Sequence, residues 1–272
     1  MSGWLSYFRE AAKAVREAID PLVGTQSAAE PLTVRADGDV TRRIDAVAER
    51  TAIEVLQGYR VPFTLISEEL GMKDFGKGKN ATIVLDPLDG SHNAIVGIPA
   101  YSFSIAFARG KRLSDVREAL VADLPRGILY EAELNRGAKR DKEPISPSKV
   151  DRLSESMISA DLNIVDLRSY IRRIIRILNI AKRKRYLGTN ALEICLVASG
   201  KYDAFVDLRG VNRVTDVAAG YLILKEAGGV IVDERGADID ADLHPTSRLS
   251  FIAAGSRALS KNILMNLVKE PA

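Results

Sequence analysis

Residues 83–93 read Ile-Val-Leu-Asp-Pro-Leu-Asp-Gly-Ser-His-Asn, three apolar β-formers followed by two spaced carboxylates, a proline and a Gly-Ser pair. The apolar run predicts a buried strand that ends where the acids begin. Pro87 fixes one backbone angle and Gly90 frees another, so Asp86 and Asp89 are expected on the same side of a tight turn. Two carboxylates held that close are costly unless a cation neutralises them. An all-oxygen donor set favours a hard ion such as Mg²⁺. Gly90, Ser91, His92 and Asn93 read as the first turn of a helix, where unpaired N–H groups would meet an anion. A divalent cation beside an anion cradle points to a phosphate ester as substrate.

Other acids fall at the ends of expected elements. Phe63 to Ile66 reads as a short strand running into Ser67-Glu68-Glu69, so a second strand delivers carboxylates to the same kind of sheet edge. One of Glu68 and Glu69 is expected to be a ligand and the other a solvated neighbour. Asp45 lies beside the apolar stripe Val40, Ile44, Val47, Ala48, Ala52 and Val55 of an expected helix, where a first-turn acid complementing the helix dipole is the alternative reading. Asp216 opens a helix in Thr215-Asp216-Val217-Ala218-Ala219-Gly220, where a capping acid is again the bland alternative.

The positioning elements can be read in order. Trp4 to Ile19 forms an amphipathic helix, and residues 24–39 form a flexible loop ending in Asp37-Gly38-Asp39. Gly71 to Asn80 is a polar loop into the central strand. Residues 101–108 alternate large and small, as a half-buried strand does. Strands are also expected at 128–132 and 157–160. The polar segment 138–152, with its two prolines, is taken as a connector between an N-terminal half (1–150) and a C-terminal half (151–272). A helix over 166–179 places Leu167, Tyr170, Ile171, Ile174, Ile175 and Leu178 inward, with Arg168, Arg172 and Arg176 on a solvated or contacting face. Lys182-Arg183-Lys184-Arg185, too local for a nucleic-acid footprint, could meet a second phosphate. A helix over 190–199, a strand from Asp203 to Asp207, a basic loop Arg209 to Arg213, strands at 229–232 and 251–254, and a helix near 257–268 complete the chain.

Composition narrows the class. The 272 residues are 46% hydrophobic and 28% charged with a net charge of +3, as in a globular protein, and the single cysteine, Cys195, excludes an intrachain disulfide framework. No apolar run spans a membrane and no signal peptide is evident, so a cytoplasmic protein without membrane or nucleic-acid partners is expected. His92 and His244 have no Ser or Cys in a nucleophile-elbow context. There is no Walker loop or dinucleotide fingerprint. Ser-His hydrolases, P-loop NTPases and Rossmann dehydrogenases are therefore disfavoured.

Asp-Pro-Leu-Asp-Gly-Ser at 86–91, Glu68-Glu69 upstream and Thr215 to Gly220 downstream together resemble the inositol monophosphatase and fructose-1,6-bisphosphatase superfamily. The archaeal dual-activity phosphatases are the most similar branch, through Ala191-Leu192-Glu193, Val197 to Gly200 and Asp203 to Gly210. The resemblance implies a layered αβαβα sandwich of mixed α/β class and hydrolysis of phosphomonoesters, fructose 1,6-bisphosphate and inositol 1-phosphate among them, with a place in gluconeogenesis. It implies Mg²⁺, with Mn²⁺ as a substitute and Li⁺ inhibitory. Glu68, Asp86 and the Leu88 carbonyl would hold a first ion, Asp86, Asp89 and Asp216 a second, and a third would lean on Glu68. Gly90 and Ser91 N–H groups would bind phosphate, and Ser91 would work with Asp45 and Glu68 on the attacking water. Gly188, Thr189 and Asp207 would meet substrate hydroxyls, Arg185 the 6-phosphate, and Asp39 a mobile metal-sensing loop. A homodimer or higher homo-oligomer is the family expectation. A nucleotide 3′-phosphatase or NADP phosphatase is the alternative within the superfamily.

Overall fold

Alternation along two strands explains the layering. In the computed structural model, which describes residues 3–34, 40–78 and 81–268, Leu65, Ile83 and Leu85 face one apolar core while Ile66 and Val84 face another. A strand that buries both faces belongs to a sheet covered on both sides.

Helix α1 (Trp4–Ile19) buries Phe8, Ala11, Ala12, Val15 and Ile19 along one face. Strands β1 (Pro31–Val34) and β2 (Val40–Arg42) then pair antiparallel, so ordered strand replaces part of the loop expected over 24–39. Helix α2 (Arg43–Gly58) starts three residues later than its apolar stripe suggests, because Val40 belongs to β2. Asp37, Gly38 and Asp39 lie outside the described residues.

Nine elements follow: β3 (Phe63–Ser67), β4 (Gly71–Phe75), β5 (Thr82–Asp89), α3 (Ser91–Val96), β6 (Ser102–Ala108), β7 (Val116–Asp123), β8 (Ile128–Glu133), β9 (Ala138–Arg140) and β10 (Glu143–Pro144). The strands form one sheet in the order β10-β9-β8-β7-β6-β5-β3-β4. Only β3 and β5 among its neighbours run parallel. Strand β4 occupies part of what reads as a polar loop, and the unforeseen β7 lies at the centre of the sheet. Every residue of β6 is buried, so its large-small alternation reflects two packed faces rather than a wet one. Strands β9 and β10 also take up the first part of the expected 138–152 connector.

The rest of the chain contributes β11 (Met157–Ala160), α4 (Leu167–Ile180), β12 (Arg183–Arg185), α5 (Asn190–Ala198), β13 (Ala204–Arg213), α6 (Val214–Ala227), β14 (Val230–Val232), β15 (Arg248–Ala254) and α7 (Arg257–Met265). A second sheet runs β12-β11-β13-β15-β14. The basic segment Arg209 to Arg213 continues β13 instead of forming a loop. In α4 the buried positions are Tyr170, Ile174 and Ile177, whereas Leu167 and Ile175 remain exposed.

Three cores connect these parts into an αβαβα sandwich, as the resemblance implied. α1 and α2 cover one face of the first sheet. α5 and α6 fill the space between the sheets. Tyr170, Ile174 and Ile177 of α4 and Leu259 and Ile263 of α7 cover the outer face of the second sheet. Helix α6 can lie this deep because its residues are small: a Cβ added at Gly220 would sit 2.9 Å from Ile194 Cβ of α5. No helix among the described residues is long and apolar enough to cross a membrane.

Candidate active site

The parallel register of β3 and β5 sets Ser67 opposite Leu85, which brings the next residues, Glu68 and Asp86, side by side. Asp216, in the first turn of α6, reaches the same point from the second half of the chain. A carboxylate oxygen from each of Glu68, Asp86 and Asp216 lies within 4.8 Å of the other two. Asp216 also fills the bland role, since Oδ2 accepts from the Arg213 N–H at 2.9 Å and so caps the helix. Capping and clustering are compatible because a carboxylate has lone pairs for both.

Asp86 and Asp89 do not flank a tight turn. β5 continues through Pro87 to Asp89, and its pairing with β6 is irregular between those two acids. The irregularity leaves the Leu88 N–H donating to Asp86 Oδ1 at 3.1 Å. Asp89 instead faces the N-terminus of α5. Its Oδ2 accepts from Thr189 Oγ1 at 2.7 Å, Ala191 N at 2.8 Å and Ser102 Oγ at 3.2 Å, and its Oδ1 from Asn190 N at 3.1 Å. Gly90 then turns the chain at φ 83°, a conformation that suits glycine. A Cβ there would meet the carbonyls of Ala100 and Gly188 at 3.0 and 3.1 Å.

Ser91 opens α3, and its hydroxyl donates to Asp45, whose carboxyl also accepts from the Arg42 N–H at 3.1 Å at the start of α2. Glu69 is not a solvated neighbour. It accepts from the Thr41 hydroxyl, while Glu68 pairs with Arg213. Arg213 and Thr41 carry no motif in the sequence, and only the fold reveals that they face the acids.

The electrostatics follow from crowding. Burial, reinforced by Glu68, Asp89 and Asp216, holds the Asp86 carboxyl well above its usual range. Burial and the charges of Glu68 and Asp89 push Asp216 up to about 7. Burial, then Glu69 and Glu68, raise Asp45 to about 7. Asp89 rises only to about 6 because its hydrogen bonds oppose the effect of burial. A nest of desolvated oxygen donors that resist ionisation is a fit for a hard divalent cation, which would relieve the repulsion they feel.

The remaining candidates lie around this cluster. Thr189 is buried, with its hydroxyl on Asp89, and Gly188 adopts φ 72° beside the Tyr186 phenol and Asn93. Asp207 is fully buried, and both of its oxygens accept from Arg209, which also pairs with Asp161 at 2.8 Å. Arg185 is exposed on edge strand β12, and its Nη1 donates to the Lys184 carbonyl at 2.7 Å. His92 is exposed beside Ser91. His244 forms a surface turn with Thr246, and Cys195 is buried in the core.

The profile of the inositol monophosphatase family matches residues 3–270. The chain belongs to that family. A fructose-1,6-bisphosphatase/inositol-1-monophosphatase of Methanothermobacter thermautotrophicus is 39% identical over 97% of this chain and 96% of its own length. A bifunctional NADP phosphatase/NAD kinase of Methanococcus maripaludis is 37% identical over 89% of this chain, which spans only 45% of that larger protein. A solved inositol monophosphatase–fructose 1,6-bisphosphatase is 31% identical with TM-score 0.86, covering 98% of this chain and all of its own. A Pyrococcus horikoshii protein with similarities to inositol-1 monophosphatase gives TM-score 0.84 at 30% identity, with 98% of each chain covered. The family match spans all three acidic motifs. Their convergence on one point is a property of the fold.

Proposed function

We propose that this protein is a Mg²⁺-dependent phosphomonoester hydrolase acting on fructose 1,6-bisphosphate and inositol 1-phosphate. The observation that carries the proposal is the meeting of Glu68, Asp86 and Asp216 within 4.8 Å, beside the Gly90 turn. Glu68, Asp86, Asp216 and the Leu88 carbonyl would hold the cation, with Asp89 fixed on α5 and left with one open lone pair on Oδ1. Such an ion supplies Lewis-acid polarisation of the phosphoryl group and a more acidic water. The N–H groups of Gly90 and Ser91 would orient the phosphate. The Ser91–Asp45 hydrogen bond gives the water's proton a path to a carboxyl whose raised affinity suits a general base near neutral pH.

On the substrate side, Thr189 and Asp207 would act by holding Asp89 and Arg209, while Gly188 leaves room for the sugar or cyclitol. Arg185 would meet a second phosphate. The kinship with NADP phosphatases gives a second reading specific support from one residue. Tyr186 is exposed beside Gly188, and an aromatic face there could stack on a nucleotide ring.

Phosphate release from fructose 1,6-bisphosphate, inositol 1-phosphate, NADP and 3′-phosphoadenosine 5′-phosphate, with Mg²⁺ and with a chelator, is the test. Chelator-sensitive turnover of the first two is the expected result. Turnover restricted to the nucleotides would transfer the assignment to the second reading. No turnover of any substrate would overturn both.

A further inference from the structure

Glu193, on the face of α5 turned towards the second sheet, belongs to neither the carboxylate cluster nor the phosphate cradle, yet it is completely buried. We propose that Glu193 is a positioning residue of the phosphate-ester site, one that stays protonated and in that form locks the 185–189 segment to helix α5. The proposal rests on the reading of the site given above.

Proton counting supports it. Ser159 Oγ, in β11, lies 2.9 Å from the Arg185 carbonyl of β12 and in hydrogen-bond contact with Glu193 Oε1. A hydroxyl has one proton to donate, and a backbone carbonyl has none. Both contacts are satisfied only when Glu193 carries a proton and donates it to Ser159, leaving Ser159 to donate to Arg185. The Leu187 N–H faces the same carboxyl. Glu193 Oε2 has no partner among the described residues. A charge on that oxygen would be buried and uncompensated, whereas a neutral acid leaves only an under-used carbonyl.

The surroundings agree. Asp161, beyond β11, and Asp89, at the end of β5, both add negative charge near Glu193. The phenols of Tyr186 and Tyr202 also face it, Arg185 acts on Tyr202, and the Cys195 thiol is two residues along the same helix. Burial is the main cause that pushes the Glu193 carboxyl up to about 7. One helix therefore holds Asp89 at its N-terminus and, through Glu193, ties down the segment containing Tyr186, Gly188 and Thr189. The spacing between the carboxylate cluster and the substrate wall depends on both attachments.

Two variants test this. Glu193→Gln can still donate to Ser159 but cannot ionise, whereas Glu193→Ala loses the lock. Glu193→Ala should raise KM for inositol 1-phosphate about tenfold with a smaller change in kcat, and Glu193→Gln should raise it far less. Equal damage in both variants would overturn the positioning role.

The proton is tested without activity, by the metal-free thermal midpoint from pH 4 to 8. A folded carboxyl raised from 4.5 to about 7 keeps a proton that the unfolded chain releases. Wild type should therefore lose stability relative to Glu193→Gln across that window and no further above it. A difference that does not vary with pH would overturn the protonated form. Absence of turnover in wild type would defeat the functional reading while leaving the thermal comparison decisive for the proton.

Discussion

At the scale of single residues, Asp86 and Asp89 look equivalent in the motif but differ in what surrounds them. Asp86 accepts one backbone N–H and otherwise faces like charges, whereas Asp89 accepts four hydrogen bonds, two of them from the backbone at the start of α5. Asp86→Asn keeps an oxygen for the Leu88 N–H and removes a repelled charge. It should abolish Mg²⁺-dependent turnover while raising the metal-free thermal midpoint. Asp89→Asn turns one acceptor into a donor facing N–H or O–H groups, so it should cost about 1–3 kcal/mol in denaturant unfolding as well as activity. The two variants shifting stability in the same direction would contradict this distinction.

The same acids set a pH dependence. Asp216 and Asp45 are raised from 3.8 to about 7, so the folded protein holds protons that the unfolded chain releases between those values. Metal-free stability should fall as pH rises through that window, and saturating Mg²⁺ should flatten the fall by favouring the ionised carboxylates. Calorimetric scans at several pH values, with and without Mg²⁺, measure both effects.

At the scale of elements, the site is assembled by strand register and helix contact. The parallel step from β3 to β5 places Glu68 beside Asp86, and the depth of α6 places Asp216 against both. That depth depends on the close approach of α5 and α6 at Gly220. Gly220→Ala should force the helices apart and cost about 1–3 kcal/mol. It should also weaken Mg²⁺ binding, seen as a smaller Mg²⁺-induced rise in the thermal midpoint. An unchanged rise would mean that the α6 N-terminus is held from the β13 side instead.

At the scale of the whole molecule, the two sheets come from successive stretches of chain but share one core, with α5 and α6 between them. The 1–150 segment carries Glu68, Asp86 and Asp89, and the 151–272 segment carries Asp216. Expressed separately, the first segment should expose the sheet face that α5 and α6 cover, the second should expose the sides of those helices turned to the first sheet, and neither should show turnover. Mixing should restore activity only if the sandwich reassembles. Turnover by the first segment alone would remove Asp216 from the machinery. Unfolding of the intact chain is expected as one cooperative transition, since neither sheet is fully covered without the central helices.

The acidic motifs and most of the long elements can be read from the sequence alone. The spaced acids at 86 and 89, the acid pair at 68–69 and the acid that opens Thr215 to Gly220 are local patterns, as are the apolar periods of α1, α2 and α4, and local patterns survive without knowledge of partners. Tertiary structure alone decided the rest. β4 and β7 and the burial of all of β6 depend on neighbouring strands, and no periodicity within a segment records its partners. The engagement of Asp207 by Arg209, of Glu68 by Arg213 and of Ser159 by Glu193 joins residues whose types give no warning of the contact. The physical reason is that a carboxyl's role depends on the dielectric and the donors around it, and only the packing of two sheets on a pair of helices supplies them.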